Sequence, residues 1–264
     1  MSTNKIMPLD TAMAAVKPNA TLMMGEFVGF GEPSACIEWL LAHGVGGLTL
    51  IASTVGVRGS PLARLIEAGL VTELIGSHAG TSPESSEAYL AGRLKVAQFF
   101  PMGTWAEKVR AGGVGLGGVL VPVGVGILDM DGLFPDLEAP KPTIELNGKR
   151  FFVEAALRAD VAIVKGWRAD RLGNIEFRYT GLQNQRDLAM AGRYTIAEVN
   201  EIVEVGEIPP ERVGCPGPFV NAVVQGESLK AQHARGRATW IALGRLPAED
   251  LPAVDPEAAA EDVP

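Results

Sequence analysis

Seven residues near the amino terminus, Gly25-Glu26-Phe27-Val28-Gly29-Phe30-Gly31, form the first pattern that can do chemistry. They follow an apolar run, Ala20 to Met24, that reads as a strand, and they precede a segment for which Ser34 is a plausible helix N-cap. In that setting, backbone N–H groups and a helix N-terminus can face a phosphate or an acyl carbonyl. The same glycines serve equally well as a tight connection. A dinucleotide fingerprint needs GxGxxG, whereas the spacing here is GxxxGxG, which disfavours a nicotinamide-dependent dehydrogenase. Cys36 and Cys215 lie far apart without CxxC or CxxH spacing, so they read as reduced packing residues, and no metal site is expected. His78 reads as a structural residue near a turn, and His43 and His233 read as non-functional.

The elements that must position such a loop alternate along the chain. Leu9 to Val16 reads as a helix stopped by Pro18, and a second helix carries Ile37, Leu40 and Leu41 to Gly44. Strands are read at Leu48 to Ala52, Glu73 to Ile75, Val96 to Phe100 and Val119 to Val123, with helices at Leu62 to Glu67 and Thr104 to Val109, the latter closed by Gly112 and Gly113. Thr143 to Phe152 is a hairpin with Asn147-Gly148 as a type I′ turn. Val161 to Val164 and Thr195 to Val205 return as strands, with a turn at Asp170 to Gly173. This order predicts an α/β fold, an open three-layer sandwich around a mostly parallel sheet. Ligands then bind at the carboxyl ends of its strands. Residues 1–245 are read as one domain and 246–264 as an acidic, disordered tail, with an exposed loop over Asp129 to Pro142.

Composition narrows the classes. With 47% apolar and 20% charged residues, the 264-residue chain suits a globular fold. A net charge of −8 opposes a nucleic-acid surface and gives no general pull on an anionic substrate. No apolar stretch is long enough to span a membrane, and Met1 to Asp10 has no apolar signal region, so a cytoplasmic protein is expected.

Pro18 to Pro33 resembles the amino-terminal signature of family I coenzyme A transferase alpha subunits: Leu22-Met23-Met24 is the apolar triplet, Gly25-Glu26-Phe27 stands for Gly-Gly-Phe, and Gly31-Glu32-Pro33 closes it. Leu48 to Ala52 is similar to the second family strand. Ser77 to Thr81 and Pro101 to Glu107 stand at the family's Gly-Thr-Asn and Pro-Gln-Gly-Thr segments. Arg110 to Gly115, Arg158 to Asn174 and Glu204 to Ile208 complete a collinear match from about Pro8 to Gly226.

The resemblance implies an alpha–beta heterodimer or heterotetramer of the 3-oxoacid transferase kind. It moves coenzyme A from an acyl thioester to a small carboxylic acid, 3-oxo or dicarboxylic, with no cofactor beyond coenzyme A itself as substrate. The catalytic glutamate, set in Ser-Glu-Asn-Gly, belongs to the beta subunit. That setting is missing here, so no catalytic residue is assigned to this chain. The resemblance puts coenzyme A against Gly25, Glu26, Phe27, Val28, Gly29, Phe30 and Gly31, and the acid against Ser53, Met102, Gly103 and Thr104. Lys108 and Arg110 are candidates for its phosphates, weighed against a solvated helix face, and Trp39, Trp105 and Trp167 read as core or interface. Glu26 replaces a glycine and is expected to set a charge beside the polyanionic ligand. Ser53 stands for an Asn, Met102 for a Gln, and Gln183-Asn184-Gln185-Arg186 for Asn-Phe-Asn-Pro, departures that leave the choice of acid open beyond acetoacetate and succinate. The alternative is a non-catalytic acyl-CoA-binding homologue.

Overall fold

The apolar runs become neighbouring strands in a computed structural model that describes residues 4–129 and 141–247. The first half of the chain runs through α1 (Leu9–Met13), β1 (Thr21–Met24), α2 (Ser34–His43), β2 (Leu48–Ala52), α3 (Pro61–Glu67), β3 (Val71–Gly76), α4 (Pro83–Leu90), β4 (Lys95–Phe99) and α5 (Met102–Gly113). Then follow β5 (Gly118–Val121), β6 (Thr143–Leu146), β7 (Lys149–Ala155), β8 (Ala159–Asp170), β9 (Ile175–Glu176), α6 (Gln185–Ala191), β10 (Gly192–Val203), β11 (Ala222–Gln225) and α7 (Leu229–Ala242). The main sheet has the order β11-β10-β8-β1-β2-β3-β4, all parallel, with the short β9 antiparallel on β8.

Strand side chains alternate between two apolar layers, as the two-residue period requires. Leu22, Met24, Leu50, Leu74 and Ile163 face α1, α2, α3 and α4, where Ile37, Leu40, Leu62, Leu65 and Ala88 meet them. Met23, Ile51, Ala162, Val164 and Val199 face α5 and α6, with Trp105, Val109 and Leu188 opposite. The result is the three-layer α/β sandwich read from the sequence. Each fully buried aliphatic side chain contributes about 1.5–3 kcal/mol, so both layers are substantial.

Several boundaries differ from the sequence reading, each for a physical reason. Gly112 and Gly113 lie inside α5 rather than ending it: a Cβ on Gly112 would stand 1.8 Å from the Leu157 carbonyl oxygen, and one on Gly113 would stand 2.8 Å from Met190 Cβ. They are close-approach glycines, letting α5 press on the chain before β8 and on α6. Pro33, not Ser34, is the N-cap of α2, while Gly44 ends that helix in the left-handed conformation, φ 62°. Helix α1 stops at Met13, and β8 is far longer than Val161 to Val164. The hairpin is confirmed, with Asn147 at φ 52° and Gly148 at φ 70°. It joins β5 in a separate antiparallel sheet, β5-β7-β6, one face of which leaves Leu120, Ile144, Leu146 and Val153 exposed. Most of the loop over Asp129 to Pro142, and the tail from residue 248 on, lie outside the described residues. Both cysteines are free and buried. Among the described residues no helix is long and apolar enough to cross a membrane.

Candidate functional site

The connections leaving β1 and β8 diverge: β1 leads through α2 to β2, and β8 leads through β9 and α6 to β10 on the opposite flank. Neighbouring parallel strands whose connections part in this way open a crevice at their carboxyl ends, where ligands of open α/β sheets bind. The loop Gly25 to Gly31 rises at that point. Its first amide is still in the sheet, Gly25 N–H donating to the Ile163 carbonyl at 3.0 Å. Beyond it the strands separate, and the fully buried Gln185 fills the gap. Its side-chain oxygen accepts from the Lys165 amide and its nitrogen donates to the Gly31 carbonyl, each at 3.0 Å. A Cβ on Gly25 would lie 1.8 Å from that oxygen, so any larger residue there would have to displace the Gln185 side chain and its two hydrogen bonds.

The loop does not present a cradle of free amides, contrary to one expectation from the sequence. Phe27 and Phe30 exchange backbone hydrogen bonds with each other. Val28 N–H donates to the Thr54 hydroxyl at 2.8 Å and Gly29 N–H to Glu26 Oε2 at 3.1 Å. Glu26 itself is fully buried and turned into the protein, where Oε1 accepts from the Thr54 amide and hydroxyl. The expectation that its charge stands beside a polyanionic ligand is therefore corrected: Glu26 is the loop's internal anchor. Burial pushes its carboxyl up from the ordinary range, against the opposing pull of Thr54 and the Gly29 amide.

A second buried carboxyl closes the same loop. Glu32 accepts a hydrogen bond from Ser60, the N-cap of α3, at 2.8 Å, and its other oxygen is buried without a partner. Burial first, then the neighbouring Glu26 carboxyl, pushes Glu32 up to about 8, opposed by Ser60 and the Arg235 charge. Nor is the N-terminus of α2 open to a phosphate. Glu198 Oε2 accepts from the Cys36 amide there at 3.0 Å, and Glu198 Oε1 is paired with the buried Lys165 at 3.0 Å.

What the loop offers outward is aromatic. Phe27 and Phe30 are 45% and 49% exposed. Phe30 stacks on Trp240 of α7 at 5.5 Å between ring centroids, and its carbonyl accepts from Gln183 at 3.1 Å. Of the residues expected to line an acid pocket, Ser53 is fully buried at the end of β2 and donates to the Glu26 carbonyl at 2.9 Å, so it supports the loop. Met102, Gly103 and Thr104 open α5 after β4, at the far end of the strand order from the crevice's β8 side. Met102 packs on the α5 layer, Gly103 is exposed and Thr104 is buried. Neither candidate phosphate-binding cation is free. Lys108 is buried in an ion pair with Glu154 at 2.7 Å, and Arg110 pairs with Glu107 at 2.7 Å. Gln185 and the helix carrying Trp240 were not singled out by the sequence as positioning elements. The substitution of Gln183 to Arg186 for the family stretch was the signal available for the first.

An open parallel sandwich with a glycine-rich loop at its switch point is the class this architecture defines: an α/β protein that binds ligand where β1 and β8 part. The sequence profile of the coenzyme A transferase family matches residues 6–226. The chain is 36% identical over 226 residues to the alpha subunit of acetate CoA-transferase from Escherichia coli K12, covering 86% of this chain and 99% of that one. It is 42% identical over 209 residues to one subunit of the succinyl-CoA:3-ketoacid coenzyme A transferase from Xanthomonas campestris pv. campestris B100, covering 79% and 83%. Its fold superposes on an acyl-CoA transferase from E. coli O157:H7, crystallised as a thioester complex with CoA, with a TM-score of 0.73 at 20% identity; 84% of this chain is covered, and it spans about half (47%) of that longer chain. This chain belongs to the coenzyme A transferase family and is of the alpha type.

Proposed function

We propose that the chain is the alpha half of a cytoplasmic heteromeric CoA-transferase whose catalytic glutamate comes from a beta subunit. The acid would be a small 3-oxo or dicarboxylic acid, and no cofactor would be needed. In the reaction, a glutamate carboxylate attacks the acyl-CoA carbonyl, expelling coenzyme A thiolate and leaving a mixed anhydride. The thiolate then attacks the glutamyl carbonyl, freeing the first acid and forming a glutamyl thioester. The second acid reverses both steps. Such a carboxylate must be ionised and within reach of substrate.

The observation that carries this reading is the state of the two carboxyls of the glycine loop, Glu26 and Glu32. Glu26 has both oxygens hydrogen-bonded inside the protein, and Glu32 is buried and, at about 8, mainly protonated near neutral pH. Neither meets the requirements of a nucleophile. The two bacterial relatives described above are each named as a single subunit of a transferase, which supports a partner that supplies one. In the test, the chain is purified alone and together with its beta-type partner, and acyl-CoA consumption is followed with a panel of short acids. The chain alone should show no turnover and the pair should show ping-pong transfer. A pair that binds acyl-CoA but never transfers it would favour the non-catalytic binding homologue.

A further inference from the structure

Between the end of β9 and α6 the chain passes along the crevice in a strained conformation. Tyr179 has φ 54° and Gln183 φ 20°, both in the region that non-glycine residues avoid. The same stretch carries three buried side-chain atoms with no partner among the described residues: Arg178 Nη2, Gln183 Oε1 and Asn184 Oδ1. It is joined to the glycine loop through Gln183 and the Phe30 carbonyl. Strain and unmet polar groups together suit a segment whose partner is a ligand, since a buried polar atom without a partner leaves its lost hydration uncompensated.

Arg178 is the chemically pointed member. Its guanidinium lies over the Trp167 ring at 4.5 Å and the Tyr179 ring at 4.9 Å, which fixes its position without supplying an acceptor. Arg168 sits over the same indole at 4.3 Å, but Glu176 neutralises it at 2.6 Å. The strand period that turns Val161 and Ile163 toward α2 puts Trp167 on that face too, four residues past Ile163, where β1 ends. Among the described residues Arg178 thus has no ion-pair partner; it is a planar cation held by two aromatic rings, at the crevice where the loop amides and the α2 terminus are already occupied by Glu26 and Glu198.

We propose that Arg178 is a specificity-determining residue that receives an anionic group of the substrates, either a carboxylate of the acid or a phosphate of coenzyme A. A guanidinium suits both through paired N–H donors. The proposal rests on the transferase reading and adds the site of charge recognition to it. It also explains how a chain of net charge −8 holds a polyanionic ligand locally.

The test uses the chain with its beta partner, carrying Arg178→Gln or Arg178→Lys. Mono- and dicarboxylic acids of equal length are compared, as are acyl-CoA, its 3′-dephospho form and the acyl-pantetheine ester. Arg178→Gln should raise KM about 10- to 100-fold for the substrate bearing the recognised group, with kcat little changed. The penalty should vanish for the analogue lacking that group: the monocarboxylate if the acid is recognised, the truncated thioester if the phosphate is. Arg178→Lys keeps the charge over both rings but loses the fork, and should fall between; it carries the test if the glutamine variant unfolds. Unchanged KM for every substrate, or an equal rise for every analogue, overturns the proposal. If the wild-type complex has no turnover, the transferase reading fails on its own, and calorimetric binding of the same acids and thioesters decides this one, with equal affinity in wild type and variants refuting it.

Discussion

At the scale of single residues, the site rests on carboxyls that face inward. Glu32 is the sharper case because its carboxyl is pushed up to about 8 from an ordinary 4.5. The folded state therefore holds its proton more tightly than the unfolded chain. The stabilisation is complete below about pH 4.5 and is lost as pH climbs through about 8, at up to about 1.4 kcal/mol per pH step. Glu32→Gln keeps the shape and the Ser60 partner without a titrating proton. Melting temperatures across this window should fall with rising pH in the wild type and fall less in the variant; parallel curves would show that Glu32 does not titrate there. The glycine loop's position was legible in the sequence because strand, turn and helix signals flank it. The direction of Glu26 was not legible. It depends on Thr54, which is distant in sequence and brought alongside only by the pairing of β1 with β2.

Elements were legible where apolar periodicity was strong and illegible where it was weak. β1 and β2, the α2 C-cap at Gly44 and the Asn147-Gly148 hairpin followed from patterns that local chemistry enforces. α4 and α7 were missed because Pro83–Leu90 is rich in Ser and Glu and Leu229–Ala242 has no buried residue, so neither shows an apolar stripe. Yet α7 begins after the family match ends at residue 226. It reaches the crevice through Trp240 on Phe30, His233 on Tyr179 and Arg235 on Ser34. The α5 glycines show the opposite error, a stop signal that is in fact a packing device. Gly112→Ala should therefore destabilise the protein although alanine is the better helix former, because its Cβ meets the Leu157 carbonyl at 1.8 Å. A loss of about 1–3 kcal/mol is expected in chemical denaturation. A stability gain, as expected of a solvent-exposed helical glycine, would contradict this packing.

For the whole molecule, the parallel sheet places a crevice at the β1–β8 switch point, and among the described residues the Glu26 and Glu32 carboxyls of its glycine loop are turned into the protein. Glu198 beside them is also buried, paired with Lys165. Under the proposed division of labour the nucleophile comes from a second chain, and the exposed apolar face of the β5-β7-β6 sheet suits a chain that buries surface against a partner. The most direct measurement of this division of labour is to incubate the reconstituted pair with acyl-CoA, reduce any glutamyl thioester with borohydride, and locate the modified residue by mass spectrometry. The account predicts the reduced glutamate on the partner chain, with this chain unmodified and inactive when purified alone. Reduction at Glu26, Glu32 or any other glutamate of this chain, or transfer by the chain on its own, would contradict it.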